Sequence, residues 1–274
     1  MNNDPLLGVA VHAARRAASV IVDLARDLKR RPSHAHDRGD ITANACTEAE
    51  NAIIATLRAA YPDHAIVGKE AGAIVNQIQG GTGRARQALT WIVDPIDGTL
   101  NFRHGYPYYA VSIALIDGEG VILSVVLDPV HDDLFTAVKG KGAQHNTAPI
   151  RTSACIRLEE ALIGTVVPVR GSLKGPAYLA VQDALIAQCG DIRRAGSCAL
   201  DLAYVAAGRL DGFWTMSEHP WEIAVGALIV NEAGGRVGDF AGGTDFRRTN
   251  EVIAAAPGIF SPLREAIAAA ARKR

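Results

Sequence analysis

Two aspartates three residues apart occur in the segment D-P-I-D-G-T at positions 94–99, directly after an apolar run. Asp94 and Asp97 can converge on one point, with the Ile96 carbonyl between them as a third oxygen. Clustered hard oxygens suit Mg²⁺, which also takes water and phosphate oxygens as ligands. If the next two backbone N–H groups open a helix, they form an anion site beside the metal. The segment therefore predicts metal-assisted chemistry on a phosphate ester, although Asp, Pro and Gly also occur together in ordinary turns.

The run from Leu89 to Val93 has the β-branched and aromatic character of a buried strand that would carry this segment. Pro95 cannot donate to a strand ladder, so we expect Asp94 at the end of the strand. The next strands follow one another through short turns, which predicts a mostly antiparallel sheet. They are expected at residues 110–114, 121–127 and 134–138.

Helices are predicted before and after this sheet segment in the sequence. Asp4 and Pro5 suit the N-cap and first position of an amphipathic helix, which we expect to pack on the domain rather than lie on a membrane. A loop at residues 34–39 precedes a second helix at about residues 46–60. The second half of the chain alternates strands and helices, which predicts an α/β (α+β) fold. Its strands are expected at 162–167, 192–194 and 212–216, and its helices at 177–188, 199–207, 221–233 and from Ser261-Pro262 onward.

Composition limits the function. The chain has 274 residues, enough for one large domain or two closely packed halves, and its 28 basic and 29 acidic residues nearly cancel. This balance argues against nucleic acid or a membrane surface as the main partner. Four cysteines without C-x-x-C spacing predict reduced thiols. With no signal peptide and no uninterrupted run of about 18 apolar residues, the expected location is the cytoplasm.

Several ordered motifs resemble the inositol monophosphatase family, including its bacterial extragenic-suppressor type. They are the 94–99 segment, P-W-E-I-A-V-G at 220–226, E-A-G-G at 232–235 and G-S-C-A-L-D at 196–201. The resemblance implies a Mg²⁺-dependent phosphatase with the layered αβαβα sandwich of the sugar phosphatases, commonly a homodimer. It also implies a single domain over residues 1–274, with a metal-binding half to about residue 150 and an α/β half from about 151.

The resemblance assigns roles to the residues of the first motif. It implies that Asp94 bridges metal ions, that Ile96 contributes its carbonyl and that Asp97 binds the second metal ion. Thr99 is expected to position the attacking water, and the amides of Gly98 and Thr99 to hold phosphate.

On the substrate side, the resemblance suggests contacts from Ser197, Cys198 and His219 to the polyol. Purely structural roles compete with these assignments. His219 is as well explained by capping or packing before Pro220, and Cys198 suits a small residue at the start of a helix.

Three positions depart from the family pattern. Lys69 stands where the family has its first metal-binding Glu, while Glu70 matches the second Glu and is a candidate replacement ligand with a catalytic role. Glu222 replaces the Asp of a W-D pair and reaches one methylene further as a metal ligand. Cys46 replaces an Asp in an early D-x-x-T-x-x-D pattern. A charged ammonium cannot bind Mg²⁺ and competes for the same carboxylates.

These observations favour Mg²⁺-dependent hydrolysis of inositol monophosphate or a related small sugar or polyol phosphate. One hypothesis is that Lys69 occupies a metal position and leaves a one-metal enzyme. The alternative is a weakly active or inactive homologue that acts through binding or regulation. A phosphatase of bisphosphorylated nucleotides is a third possibility.

Overall fold

The structure is a computed structural model that describes residues 4–30, 35–69, 89–118, 120–216, 220–244 and 249–271. Within these ranges it describes no side chains at 29–30, 35–37 and 220–222. The chain divides into two compact units, residues 1–139 and residues 140–274. Each unit contains one mixed or largely antiparallel sheet with its own helices, so the predicted α/β class is confirmed.

The first unit has three helices, α1 (Pro5–Arg30), α2 (Ala35–Ala60) and α3 (Thr99–His104). Its strands are β1 (Ala65–Gly68), β2 (Thr90–Asp97), β3 (Ala110–Ile116), β4 (Val121–Asp128) and β5 (Asp133–Val138). These five strands are hydrogen-bonded in chain order. Strand β1 pairs parallel with β2, and each later neighbour within the unit pairs antiparallel, as predicted for residues 110–138.

Helix α1 begins as predicted, because the Asp4 carboxylate accepts the Leu6 backbone N–H at 3.1 Å. The stretch Pro5–Leu28 is long and apolar enough to cross a membrane by length and composition alone. Its apolar face, which includes Ala10, Ala17 and Ile21, is nevertheless buried against α2, β3 and β4. The apolar composition of this helix is therefore explained by its packing against other elements of the protein.

Helix α2 begins at Ala35, eleven residues before the predicted start, so the predicted loop is wrong for residues 35–39. The buried face continues backward from Cys46 through Ala45 to Thr42. The Thr42 hydroxyl donates to the Arg38 carbonyl at 2.6 Å, the i−4 contact of a continuous helix. Gly39 lowers helix propensity, but packing of the helix face overrides that local preference.

Strand β2 does not end at Asp94. Asp94 pairs with Ser112, and pairing resumes at Asp97 with Ala110, so three steps on β2 oppose two on β3. Such an irregularity is a β-bulge, and it lies at Pro95, the residue that has no N–H to donate. The sequence correctly indicated a break in pairing, but the strand continues past it.

The strands of the second unit are β6 (Ala143–His145), β7 (Ala148–Pro149), β8 (Leu162–Val166), β9 (Asp191–Arg193), β10 (Gly212–Thr215), β11 (Arg236–Gly238) and β12 (Val252–Ala255). Its helices are α4 (Gly175–Ile186), α5 (Cys198–Ala206), α6 (Pro220–Glu232) and α7 (Pro257–Ala271). Five of the strands form a sheet with the order β11-β12-β10-β8-β9, in which β10 is parallel to β8 and antiparallel to β12.

Most predicted elements are present, but the last helix begins at Pro257 rather than at Ser261, with Pro262 inside it. A prolyl residue at the first helical position loses no hydrogen bond, which makes Pro257 the better start.

Candidate active site

The parallel pairing of β1 with β2 places the ends of both strands together. Gly68 lies opposite Val93 in register, and the Lys69 backbone N–H donates to the Val93 carbonyl at 3.1 Å. Lys69 is therefore fixed beside Asp94 by main-chain hydrogen bonds, although 25 residues separate the two in sequence.

Both carboxylate oxygens of Asp94 have hydrogen-bond donors. The Lys69 ammonium contacts Oδ2 at 2.8 Å, and the Ile96 backbone N–H donates to Oδ1 at 3.1 Å. The Asp94 side chain is 2% exposed and that of Lys69 is 22% exposed. A buried carboxylate needs such compensation, since an isolated charge in the interior is strongly disfavoured. Lys69 was expected to compete with metal ions for the carboxylates, and it contacts one of these carboxylates directly.

The remaining residues of the motif form a tight turn into α3. The Thr99 hydroxyl donates to the Ile96 carbonyl at 2.9 Å, and Asp97 is 5% exposed. Gly98, at the N-cap, has φ of 89°, a left-handed conformation that glycine adopts at low cost. The Phe102 N–H donates to the Gly98 carbonyl at 3.1 Å, so Gly98 and Thr99 open a helix as the sequence indicated.

Contacts on the far side of α3 hold this turn. The Asn101 side-chain amide donates to the Tyr108 carbonyl at 2.7 Å, and the Phe102 ring meets the Tyr109 ring edge-on, with centroids 5.4 Å apart. Burial, together with the nearby Asp128 charge, raises the pKa of the Tyr109 hydroxyl. Tyr109 is therefore neutral at physiological pH and acts through packing.

A second support lies under the start of β2. The indole N–H of Trp91 donates to Nδ1 of His64 at 3.1 Å, and the His64 ring stacks on Tyr61 with centroids 4.8 Å apart. Burial lowers the pKa of His64 below its ordinary value of 6.5, against an opposing effect of Asp63. A neutral His64 is the form that can accept this hydrogen bond at Nδ1.

Glu50 is a further buried carboxylate that sequence reasoning missed. It lies on α2 and is 3% exposed, and a Cβ added to Gly68 would overlap its carboxylate. Glu50 thus packs directly against the end of β1, one residue before Lys69. The available signal was its place on the apolar face of α2, four residues after Cys46, where a charged residue indicates a specific contact.

Cys46 itself is part of the hydrophobic core of the first unit and is 2% exposed. The family pattern has an aspartate at this position. Here the same helix face has the small Cys46 thiol in one buried cluster with Ala45, Ala49 and Ile53. Within the described residues, none of the four cysteines forms a disulfide.

The predicted substrate-side residues Ser197 and Cys198 belong to the second unit. Ser197 is the N-cap of α5, is fully buried, and its hydroxyl accepts the Leu200 N–H at 3.3 Å. Cys198, the first residue of the helix, is 3% exposed. The local contacts of Ser197 are those of a helix cap.

Three predicted site residues lie wholly or partly outside the part of the chain that the structure describes. Glu70 and His219 lie outside the described residues, and Glu222 lies on α6 with its side chain outside them. Among the side chains that the structure does describe, no three of His, Cys, Asp or Glu are grouped to hold a metal. Asp94, Asp97 and the Ile96 carbonyl nevertheless offer oxygen donors only, which fits Mg²⁺. These oxygen atoms are the candidate Mg²⁺ ligands among the described residues, and the Lys69 ammonium contacts one of them.

The fold and this motif are those of the inositol monophosphatase family. The model of the inositol monophosphatase family matches residues 2–274, and the chain belongs to this family.

Relatives and solved structures agree with this assignment. The chain is 42% identical over 252 residues to the Nus factor SuhB of Pseudomonas aeruginosa, covering 91% of each chain. It is similar to the crystal structure of the extragenic suppressor protein suhB from Bartonella henselae, with a TM-score of 0.83, 37% identity and 96% and 99% coverage. The inositol monophosphatase from Anabaena sp. has a TM-score of 0.84, 29% identity and 98% coverage of both chains. These neighbours confirm the predicted sugar-phosphatase type of α/β fold.

Proposed function

We propose that this protein is a Mg²⁺-dependent phosphatase that hydrolyses inositol monophosphate or a related small sugar or polyol phosphate. The observation that carries the proposal is the pair of buried aspartates, Asp94 and Asp97, on either side of the bulge at Pro95. A bulge redirects side chains that a regular strand would alternate between two faces. Burial of two carboxylates this close together has a cost that binding of a divalent cation offsets.

In the proposed site, Asp94, Asp97 and the Ile96 carbonyl hold the metal, and Glu70 and Glu222 are the further candidate ligands. Magnesium, when bound, neutralises phosphate charge and makes water a better nucleophile.

The Thr99 hydroxyl already donates its proton to the Ile96 carbonyl. Its oxygen is therefore left to accept a hydrogen bond from the attacking water and to orient it. The Gly98 and Thr99 amides are proposed to bind phosphate oxygens. The water oxygen forms a bond to phosphorus as the ester P–O bond breaks. One proton of the water goes to the leaving oxygen, so that an alcohol and inorganic phosphate are released. Contacts of Ser197, Cys198 and His219 with the polyol remain predictions.

The test is phosphate release from inositol 1-phosphate by the purified protein, titrated with Mg²⁺ and repeated in EDTA. A panel of sugar, polyol and bisphosphorylated nucleotide substrates extends it. We expect saturable, chelator-sensitive turnover of at least one polyol phosphate. Thr99→Ser should retain turnover and Thr99→Val should lose most of it, because only serine keeps the hydroxyl. Equal turnover of the two variants would contradict the role given to Thr99.

A second function is favoured by the Lys69–Asp94 contact, which occupies one of the two aspartates. The relative from Pseudomonas aeruginosa bears the name Nus factor SuhB, and this name does not refer to hydrolysis. The second candidate is accordingly a regulatory protein with weak or no hydrolysis that acts through a macromolecular partner. The absence of phosphate release from the whole panel in a folded protein at every Mg²⁺ concentration would favour it.

We also propose that the protein is a cytoplasmic homodimer. Nearly balanced charge and cysteines without disulfides in the described residues support the location. Light scattering during size-exclusion chromatography tests the dimer, since a mass of a single 28.9 kDa chain would exclude it.

A further inference from the structure

A pocket of about 450 Å³ lies in the second unit, where the loop that follows β8 leads into the first turns of α4. Pockets that hold small molecules in proteins have volumes of about 300–1,000 Å³. The lining includes Val167, Val169 and Leu179, which are 38%, 56% and 63% exposed. Exposed apolar side chains grouped around a concave surface indicate a ligand with an apolar part.

The same pocket contains two cationic groups. Arg170 and Arg194 line it, and among the residues that the structure describes no carboxylate lines it with them. The neighbouring Arg193 differs, because its guanidinium is paired with the Asp191 carboxylate. A guanidinium donates hydrogen bonds in a planar fork that matches the oxygens of a carboxylate or a phosphate. The charged part of a ligand for this pocket is therefore an anion.

A buried tyrosine holds part of the lining in place. The Tyr178 hydroxyl donates to Oε1 of Gln182 at 3.2 Å, and the Tyr178 ring stacks on Trp214 with centroids 4.8 Å apart. Burial raises the pKa of Tyr178, and the charge of Arg194 opposes this shift, so the guanidinium is within electrostatic reach of the hydroxyl. A lining held by packing and hydrogen bonds is formed before a ligand arrives, which reduces the cost of binding.

We propose that this pocket binds a small amphipathic anion, namely a carboxylate or phosphate group on a compact apolar body. The two arginines bind the anionic group, and the apolar side chains of the lining contact the body. The proposal goes beyond the phosphatase activity, because all the lining residues belong to the second unit, whereas Asp94 and Asp97 belong to the first. Binding can be measured in EDTA without turnover, so its failure and the failure of hydrolysis are separate results.

The test titrates phenylphosphonate and benzoate into the purified protein in EDTA and follows binding by ligand-observed NMR. Phenylphosphonate represents a phosphate ester that cannot be hydrolysed, and benzoate represents a carboxylate. We expect saturable binding of at least one probe, and the tighter one identifies the anionic group. Inorganic phosphate and benzyl alcohol each lack one half of the amphipathic structure and should bind at least roughly tenfold more weakly. No saturable binding of either probe, or equal binding of inorganic phosphate, would overturn the proposal.

The arginines are tested one at a time. Arg170→Gln and Arg194→Gln should each weaken binding of the tighter probe by roughly tenfold, because each removes a charged hydrogen-bond donor from the pocket. Arg193→Gln is the matched control and should leave the Kd unchanged, since Arg193 is already paired with Asp191. Equal Kd values for all three variants and the wild type would show that the probe binds elsewhere and would overturn the proposal.

A second pair of variants adds charge to the apolar part of the pocket. Leu179→Glu places a carboxylate in the lining and should abolish saturable binding, because like charges repel. Ile186→Glu is the control, since Ile186 is 64% exposed, like Leu179, and lies roughly 10 Å further along α4. It should bind the probe as the wild type does. Unchanged binding in Leu179→Glu, with folding verified by circular dichroism, would contradict the assignment of the pocket.

Discussion

The turn after β2 and the start of α5 use polar residues in opposite ways. At the turn, the Asp94 and Asp97 carboxylates are buried around a β-bulge, and Asp94 takes an ammonium as its partner. At α5, the Ser197 hydroxyl is buried and satisfies a backbone N–H of its own helix. Capping is a local use of a polar group, whereas two charged groups at an interrupted strand require a partner from elsewhere. This contrast supports the ligand site proposed at the turn, whereas the described hydrogen bond of Ser197 is that of a helix cap.

The largest expected effect is on phosphate release, when a carboxylate at the turn is removed. Asp97→Asn should reduce phosphate release by roughly 100-fold or more, because a neutral amide holds a divalent cation poorly. The matched control is Asp239→Asn in the second unit, where the aspartate is equally buried and its carboxylate accepts the Gly243 N–H. Equal loss of activity in both variants would mean that general damage to folding causes the effect. Steady-state assays with the substrate panel measure it.

A smaller effect is expected where the turn meets α2. Gly68→Ala should lower the free energy of unfolding by about 1–3 kcal/mol, because the new methyl group displaces the buried Glu50 carboxylate. Gly8→Ala is the control. Gly8 lies in helix α1, and a Cβ added there meets no atom within 4 Å. Alanine should stabilise that position by about 0.5–1 kcal/mol. Urea denaturation measures both, and a Gly68→Ala protein as stable as the wild type would refute the close packing of Glu50.

The role given to Ser197 predicts a change in stability rather than in chemistry. Ser197→Ala should lower the free energy of unfolding by about 1 kcal/mol, because it removes the N-cap of α5. Turnover and KM should change little. A large rise in KM at unchanged stability would instead restore Ser197 as a substrate contact and weaken the contrast between the two regions.

The smallest effect concerns the pH dependence of folding near β2. Because burial lowers the pKa of His64 below 6.5, the unfolded chain binds a proton in a pH range where the folded chain does not. Stability should therefore be level above this range and fall as the pH drops from about 6.5 toward the folded pKa. His64→Gln removes the titrating group and should flatten this part of the curve. Urea denaturation between pH 7.5 and 5 gives the comparison, and identical slopes would contradict it.

Local patterns were enough to predict most elements of both sheets. The predicted strands at residues 110–114, 121–127 and 134–138 lie within β3, β4 and β5, because alternation and turn residues act over a few positions. Element boundaries were less accurate. The start of α2 was missed because Gly39 and two histidines suggested a loop. A helix is formed there, and its Arg38 side chain donates to the Arg103 carbonyl of α3.

The sequence by itself determined the family, the D-P-I-D-G-T turn and the unusual lysine at position 69. Only the tertiary structure decided what these residues contact. The parallel register of β1 and β2 brings Lys69 to Asp94, and the packing of α2 brings Glu50 to Gly68. Both contacts join segments distant in sequence, and their geometry depends on strand pairing and helix packing rather than on local preference.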